Sequence, residues 1–159
     1  MFGVNRKSAS QPEAEKQKIE NLVLRKLRLN DRLMADAIGT FSMKHTGNSY
    51  HKTADGCLVT NAHFEGTATG YGAGFGTLGV TQKLSEASAT SGTCTWAGQA
   101  FQDGTTLGGF GEGTWEQEKG KSTWSVTMTI DASNGDRVRM VGVLDLATRS
   151  FTGEMFDAS

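Results

Sequence analysis

The sequence predicts a mainly β protein, an eight-stranded antiparallel up-and-down barrel preceded by an N-terminal amphipathic helix. Three observations carry this expectation. From Gly39 onward apolar and polar residues alternate with a period of two, the pattern of strands buried on one face. Turn dipeptides recur at Asp55-Gly56, Asp103-Gly104, Lys119-Gly120 and Asn134-Gly135, which marks a run of hairpins. The chain holds 21 glycines and one proline, Pro12, and the glycines are interleaved with Thr, Trp, Phe and Val. Strands joined by tight turns have this composition, whereas a linker would be richer in proline and poorer in aromatics.

Residues 1–38 read as a tail and helix, and residues 39–159 as the barrel domain. From Pro12 to about Ala37 the chain is charged, with Ser10 as a cap and Glu13 and Glu15 in the first turn. Ile19, Val23 and Leu27 recur on one helical face. The alternation in LVLRKLRL leaves open a helix that ends near residue 24 and is followed by a short strand. Packing on the barrel or on a sister subunit is one role for this segment, and a lid over a cavity is the other.

The predicted strands are 40–52, 57–70, 74–83, 92–101, 106–117, 122–131, 137–146 and 150–157. A two-residue turn at Asp55-Gly56 pairs His45 with Gly66, Met43 with Ala68 and Phe41 with Gly70. That register turns Phe41, Met43, His45, His51, Leu58, Ala62 and Phe64 inward, with Lys44, Asn48, Tyr50, Asn61, His63 and Glu65 outward. The turn at Asp103-Gly104 aligns Cys94, Trp96 and Ala100 with Leu107, Gly109, Gly111, Gly113 and Trp115. A turn at Lys119-Gly120 sets Trp115 against Trp124, followed inward by Val126, Met128 and Ile130. A glycine-bulge turn at 133–135 keeps Val138, Met140, Leu144 and Leu146 inside. Phe151, Gly153 and Met155 complete the interior. The facing of the third strand stays open, and with it the placement of Thr77, Thr81 and Lys83.

Residues 74–81, GFGTLGVT, fit the glycine patterns of dinucleotide and kinase phosphate loops. The context is wrong for both. A strand and then a loop follow Gly79, where a dinucleotide fold needs a helix, and no kinase catalytic motif is present. The inward glycines Gly66, Gly70, Gly109, Gly111 and Gly113 have two other readings. They relieve crowding where aromatics cross between strands, or they leave a cavity. In the second case Phe41, Met43, Phe64, Trp96, Gly111, Trp115, Trp124, Met128 and Met140 form the wall of a substrate site. Eight strands leave room for packed side chains or one small ligand.

Chemistry inside such a barrel falls to few groups. His45 is the candidate catalytic residue, an acid or base beside an apolar wall, with a purely structural histidine as the alternative. Glu65, Glu112, Glu116 and Glu154 point outward, which argues against paired-carboxylate glycosidase chemistry. His45, His51 and His63 do not share one face at ligand spacing, so no metal site is expected. Cys57 and Cys94 face opposite ways and are expected as free thiols. No cofactor is expected. A formal charge of −1 offers no field for nucleic acid, and no stretch reads as a membrane span or signal peptide, so a cytoplasmic protein is expected. Val141, Val143 and Phe156 form an outward apolar patch, which predicts a homo-oligomer unless the helix covers it.

The barrel region 39–157 resembles, at fold level, the lipocalin-like and allene oxide cyclase-like barrels. The lipocalin G-x-W of the first strand is replaced by Gly39-Thr40-Phe41, and Gly113-Thr114-Trp115 comes four strands later. The resemblance implies an internal site for a small hydrophobic molecule, open at one end, and assigns no catalytic residue. Three function classes follow. The first is a cofactor-independent isomerase, cyclase or lyase using His45. The second is a carrier of such a molecule, and the third is an assembly module whose interior is filled.

Overall fold

The computed structural model describes residues 36–159, together with Gln17 and Asn21, which are helical and exposed. Apart from those two residues and Asp36-Ala37, the predicted helical segment lies outside the described residues. The chain divides after Asp36, and the unit from Ala37 to Ser159 is a closed barrel. Its strands are β1 (Gly39–Lys52), β2 (Leu58–Ala68), β3 (Gly72–Gln82), β4 (Ser91–Gln102), β5 (Thr105–Gln117), β6 (Thr123–Ala132), β7 (Arg137–Asp145) and β8 (Ser150–Asp157). Each pairs antiparallel with its neighbour in sequence, and β8 closes on β1. No helix among the described residues is long and apolar enough to cross a membrane.

The turns decide which register expectations hold. Asp103-Gly104 forms the expected two-residue turn, with Asp103 at φ 50° and Gly104 at φ 78°, and Trp96 pairs with Gly111 as predicted. At Asn134-Gly135 the bulged turn also forms, and Met128 faces Met140. The loop after β5 is longer than predicted: Glu118 N–H bonds the Thr123 carbonyl at 2.9 Å. Trp115 therefore faces Val126, and Trp124 faces Gln117. The slip is two residues, so both tryptophans stay inward.

The first hairpin departs from expectation twice. Thr53 N–H bonds the Cys57 carbonyl at 2.9 Å, and Gly56 N–H bonds the Thr53 carbonyl at 3.0 Å. This closes a three-residue loop ending in glycine at φ 88°, not a two-residue turn. Phe41 then pairs with Ala68, Met43 with Gly66 and His45 with Phe64. Gly70, expected inside opposite Phe41, instead sits in the β2–β3 turn at φ 78°. Between His45 and Gly47 the register shifts by one residue, a β-bulge at Thr46. Beyond it the facing inverts. Asn48 and Tyr50 share the inner face with Ala62 and Thr60, and His51 points outward opposite Val59. β3 settles with Leu78 buried, Thr77 bonded to the outward His63 at 3.0 Å, and Thr81 exposed on the outer face. Lys83 lies exposed just past the strand.

The interior is filled across the waist. Phe64, Phe151, Met128 and Cys94 are each at most 4% exposed and line neither of the cavities at the barrel ends. Phe151 meets Phe41 edge-on at 4.9 Å between centroids and Phe64 at 5.5 Å. Burial pushes the Cys94 thiol up to about 11, and both cysteines are free. Around this plug the glycines serve close packing. A Cβ on Gly76 would land on the Trp96 indole, and one on Gly113 would strike the Thr127 carbonyl. A Cβ on Gly111 would lie 2.8 Å from Ile130 Cγ1, so Gly111 borders its neighbour's side chain and not an open space.

The outer surface differs from expectation in one respect. Val141 and Val143 are exposed as predicted, but Phe156 is only 8% exposed, with the Arg139 guanidinium 4.9 Å above its ring. Phe75, Phe101 and Phe110 are exposed on neighbouring strands β3 to β5, and Phe75 and Phe101 meet edge-on at 6.0 Å.

Candidate functional site

The waist splits the barrel lumen into two end cavities. One lies at the β1–β2, β3–β4, β5–β6 and β7–β8 end and holds about 300 Å³. Its apolar wall comes from Leu78, Val80, Trp115, Trp124 and Leu144, and its polar rim from His45, Asn48, Thr60, Gln82 and Gln117. The connection between β3 and β4 makes one turn of 3-10 helix at Leu84–Glu86, and Ala87 to Ala89 then border the opening. The second cavity lies at the opposite end, holds about 100 Å³ and is almost wholly apolar.

The predicted site residues are divided between these places. His45, Trp115 and Trp124 border the larger cavity. Phe41, Met43, Trp96 and Met140 border the smaller one. Phe64 and Met128 belong to the plug between, and Gly111 reaches neither cavity. No single ligand touches the whole predicted wall.

The bulge at Thr46 builds the chemistry of the larger cavity. Residues three apart in a regular strand point to opposite faces, yet here His45 and Asn48 share the interior. His45 Nε2 lies 2.7 Å from Asn48 Oδ1, and Asn48 Nδ2 donates to Tyr50 Oη at 2.8 Å. An amide oxygen only accepts, so the histidine's proton sits on Nε2. The neutral ring then carries its lone pair on Nδ1, which has no hydrogen-bond partner among the described residues. The imidazole also packs edge-on against Phe64 at 5.5 Å, which limits its rotation. Trp115 turns its Nε1–H to the Thr93 carbonyl at 3.1 Å and so offers the cavity only apolar surface. His63 is the contrast: both ring nitrogens meet hydroxyls, Thr77 Oγ1 at 3.0 Å and Ser49 Oγ at 3.1 Å, on the outer face.

Among the described residues no carboxylate lines either cavity, and His45 is the one histidine that borders the larger cavity. Glu65, Glu112, Glu116 and Glu154 are exposed, as their parity requires. Asn48 and Tyr50 are the site residues that sequence parity misplaced. Gly47 was the available signal, because an isolated glycine inside a strand pattern marks a bulge.

The Asn48 bond has a spectroscopic consequence. Imidazole nitrogen chemical shifts should report His45 as the Nε2–H tautomer at alkaline pH. Asn48→Ala should return it to a mixture of tautomers, and an unchanged mixture in both proteins would remove Asn48 as its orienting partner.

No protein-family model matches this chain, and neither a curated protein nor a solved structure matches it.

Proposed function

We propose that the larger cavity binds a small, mainly apolar molecule and that His45 acts on it as a proton-transfer catalyst, without a cofactor. The observation that carries this reading is the pairing of His45 with Asn48 across the Thr46 bulge. It aligns a basic nitrogen beside a wall of tryptophan and aliphatic side chains. Isomerisation, cyclisation and elimination of a neutral leaving group all suit one such base. In a double-bond isomerisation Nδ1 takes a proton from the carbon next to an activating group, and the ring becomes an imidazolium. The same proton returns at the far end of the conjugated system, so no co-reactant is consumed. Asn48 Oδ1 accepts the Nε2–H in both states and steadies the cation. Lipocalin-like and allene oxide cyclase-like barrels, which this chain resembles in architecture, hold ligands inside in the same general manner.

A second reading, a non-catalytic carrier, draws on the lining of the cavity, where His45 is the one ionisable side chain among the described residues. A carrier needs only the apolar wall and one hydrogen bond.

Ring opening of nitrobenzisoxazole, a general reporter of a base in an apolar pocket, separates the two. Turnover should saturate with probe concentration. His45→Ala should lower kcat/KM by about 100-fold or more, the usual share of a positioned base. Tryptophan fluorescence should show that the variant still binds the probe. Equal turnover with and without His45 would end the catalytic reading and leave the carrier.

A further inference from the structure

The cavity at the other end of the barrel has its own walls, its own mouth and no residue in common with the His45 site. Phe64, Phe151 and Met128 close the waist between them, so occupancy of one leaves the other sterically free. We infer that this second cavity is a separate binding site for a compact apolar molecule, a single ring or short branched alkyl group, entered past a latch formed by Tyr71 and Asp136.

The chemistry of the wall defines the ligand class. Met43, Met140 and Met155 meet there with Phe41, Ile130 and Trp96. Thioether side chains are polarizable and adapt their shape, and they make favourable contacts with aromatic rings. A polar ligand would lose its water and find almost no partner in exchange. At about 100 Å³ the space is somewhat smaller than the ~150 Å³ dry cavity that takes up benzene, and methionine flexibility covers that difference.

The latch follows from topology. Tyr71 lies in the turn between β2 and β3, and Asp136 in the turn between β6 and β7, four strands away around the barrel. Tyr71 Oη nevertheless donates to Asp136 Oδ2 at 2.9 Å, so the bond crosses the barrel end, and the tyrosine borders the cavity. Asn134 Nδ2 donates to the same carboxylate oxygen at 2.8 Å and holds it in place. Desolvation, with Asp136 alongside, pushes the Tyr71 phenol up to about 12, so it remains a donor throughout the neutral range. Gly72 follows at φ 74°, a backbone state that glycine enters without strain.

Benzene is the probe, followed through the methionine methyl signals of the full chain by NMR. Saturable shifts should appear at Met43, Met140 and Met155, while the Trp124 indole signal of the His45 cavity stays unmoved. Ala100→Leu, which fills the cavity from β4, should abolish them, and Ala132→Val should weaken benzene at least fivefold if the larger change disturbs folding. Tyr71→Phe keeps the apolar wall and removes the bond, so benzene should exchange at least threefold faster at similar affinity. Methyl signals that ignore benzene, or shifts that persist in both filled variants, would overturn the site. Unaltered exchange in Tyr71→Phe would overturn the latch. None of these outcomes touches His45, so the two cavities stand or fall separately.

Discussion

Phe151→Ala is expected to destabilise the barrel by about 3–5 kcal/mol, near the top of the range for a single substitution. Phe151 is 1% exposed, and its ring meets both Phe41 and Phe64. Its neighbours have little freedom to collapse into the vacated space. Phe41 is anchored in β1, and Gly142 and Gly153 on β7 and β8 carry no side chain that could move in. The lost transfer energy therefore adds to the cost of an unfilled hole. For a domain of this size one kcal/mol corresponds to roughly 3–5 °C, so the melting temperature should fall by about 10–25 °C. Denaturant titration and calorimetry measure this. The variant should also join the two end cavities through the opened waist, and benzene should raise its melting temperature more than that of the parent. A loss under about 1 kcal/mol would mean the waist is loosely packed.

Gly76→Ala, the addition of one methyl group, is expected to cost about 1–3 kcal/mol although alanine is the better strand residue. The Trp96 indole lies across Gly76 from the neighbouring strand, and its Nε1 would sit 2.9 Å from a Cβ on Gly98. Displacing the ring inward brings it onto Phe64, whose centroid is 6.3 Å away. Trp96→Leu removes the obstacle, so adding Gly76→Ala to that variant should cost nothing or stabilise it. The cycle should show a coupling of about 1–3 kcal/mol between positions 76 and 96. Gly108→Ala is the control, because a Cβ there meets nothing within 4 Å. If both glycine replacements behave alike, the indole does not rest on Gly76.

The strand count and nearly every strand end were legible in the sequence. Each of the eight strands falls within two residues of its predicted limits. So was the facing of β4 to β8, because period-two alternation permits only even slips once one face is buried. The loop at Lys119-Gly120 shows this: the pairing moved by two residues, and Trp115, Trp124 and Met128 kept their side. His45 was legible for the same reason.

Two features depended on the tertiary structure. Asn48 and Tyr50 were placed outside because alternation was carried unbroken through the first strand, whereas Thr46 is an extra residue that inverts everything after it. Near a polar hairpin tip no buried face reveals such an inversion. The glycines were equally ambiguous in one dimension. Whether a missing side chain leaves a cavity or a seat for a ring depends on which side chain another strand sends across it. For Gly76 that is Trp96, and for Gly142 it is Phe41, whose Cζ would lie 2.6 Å from a Cβ. The sequence by itself determined a closed barrel with an apolar interior and an inward His45, while it placed His51 inside as well. The cross-strand geometry decided that the interior is plugged at the waist and that His45 has a partner. Alternation reports only which face a residue takes, while packing depends on how far a side chain reaches and what it meets there.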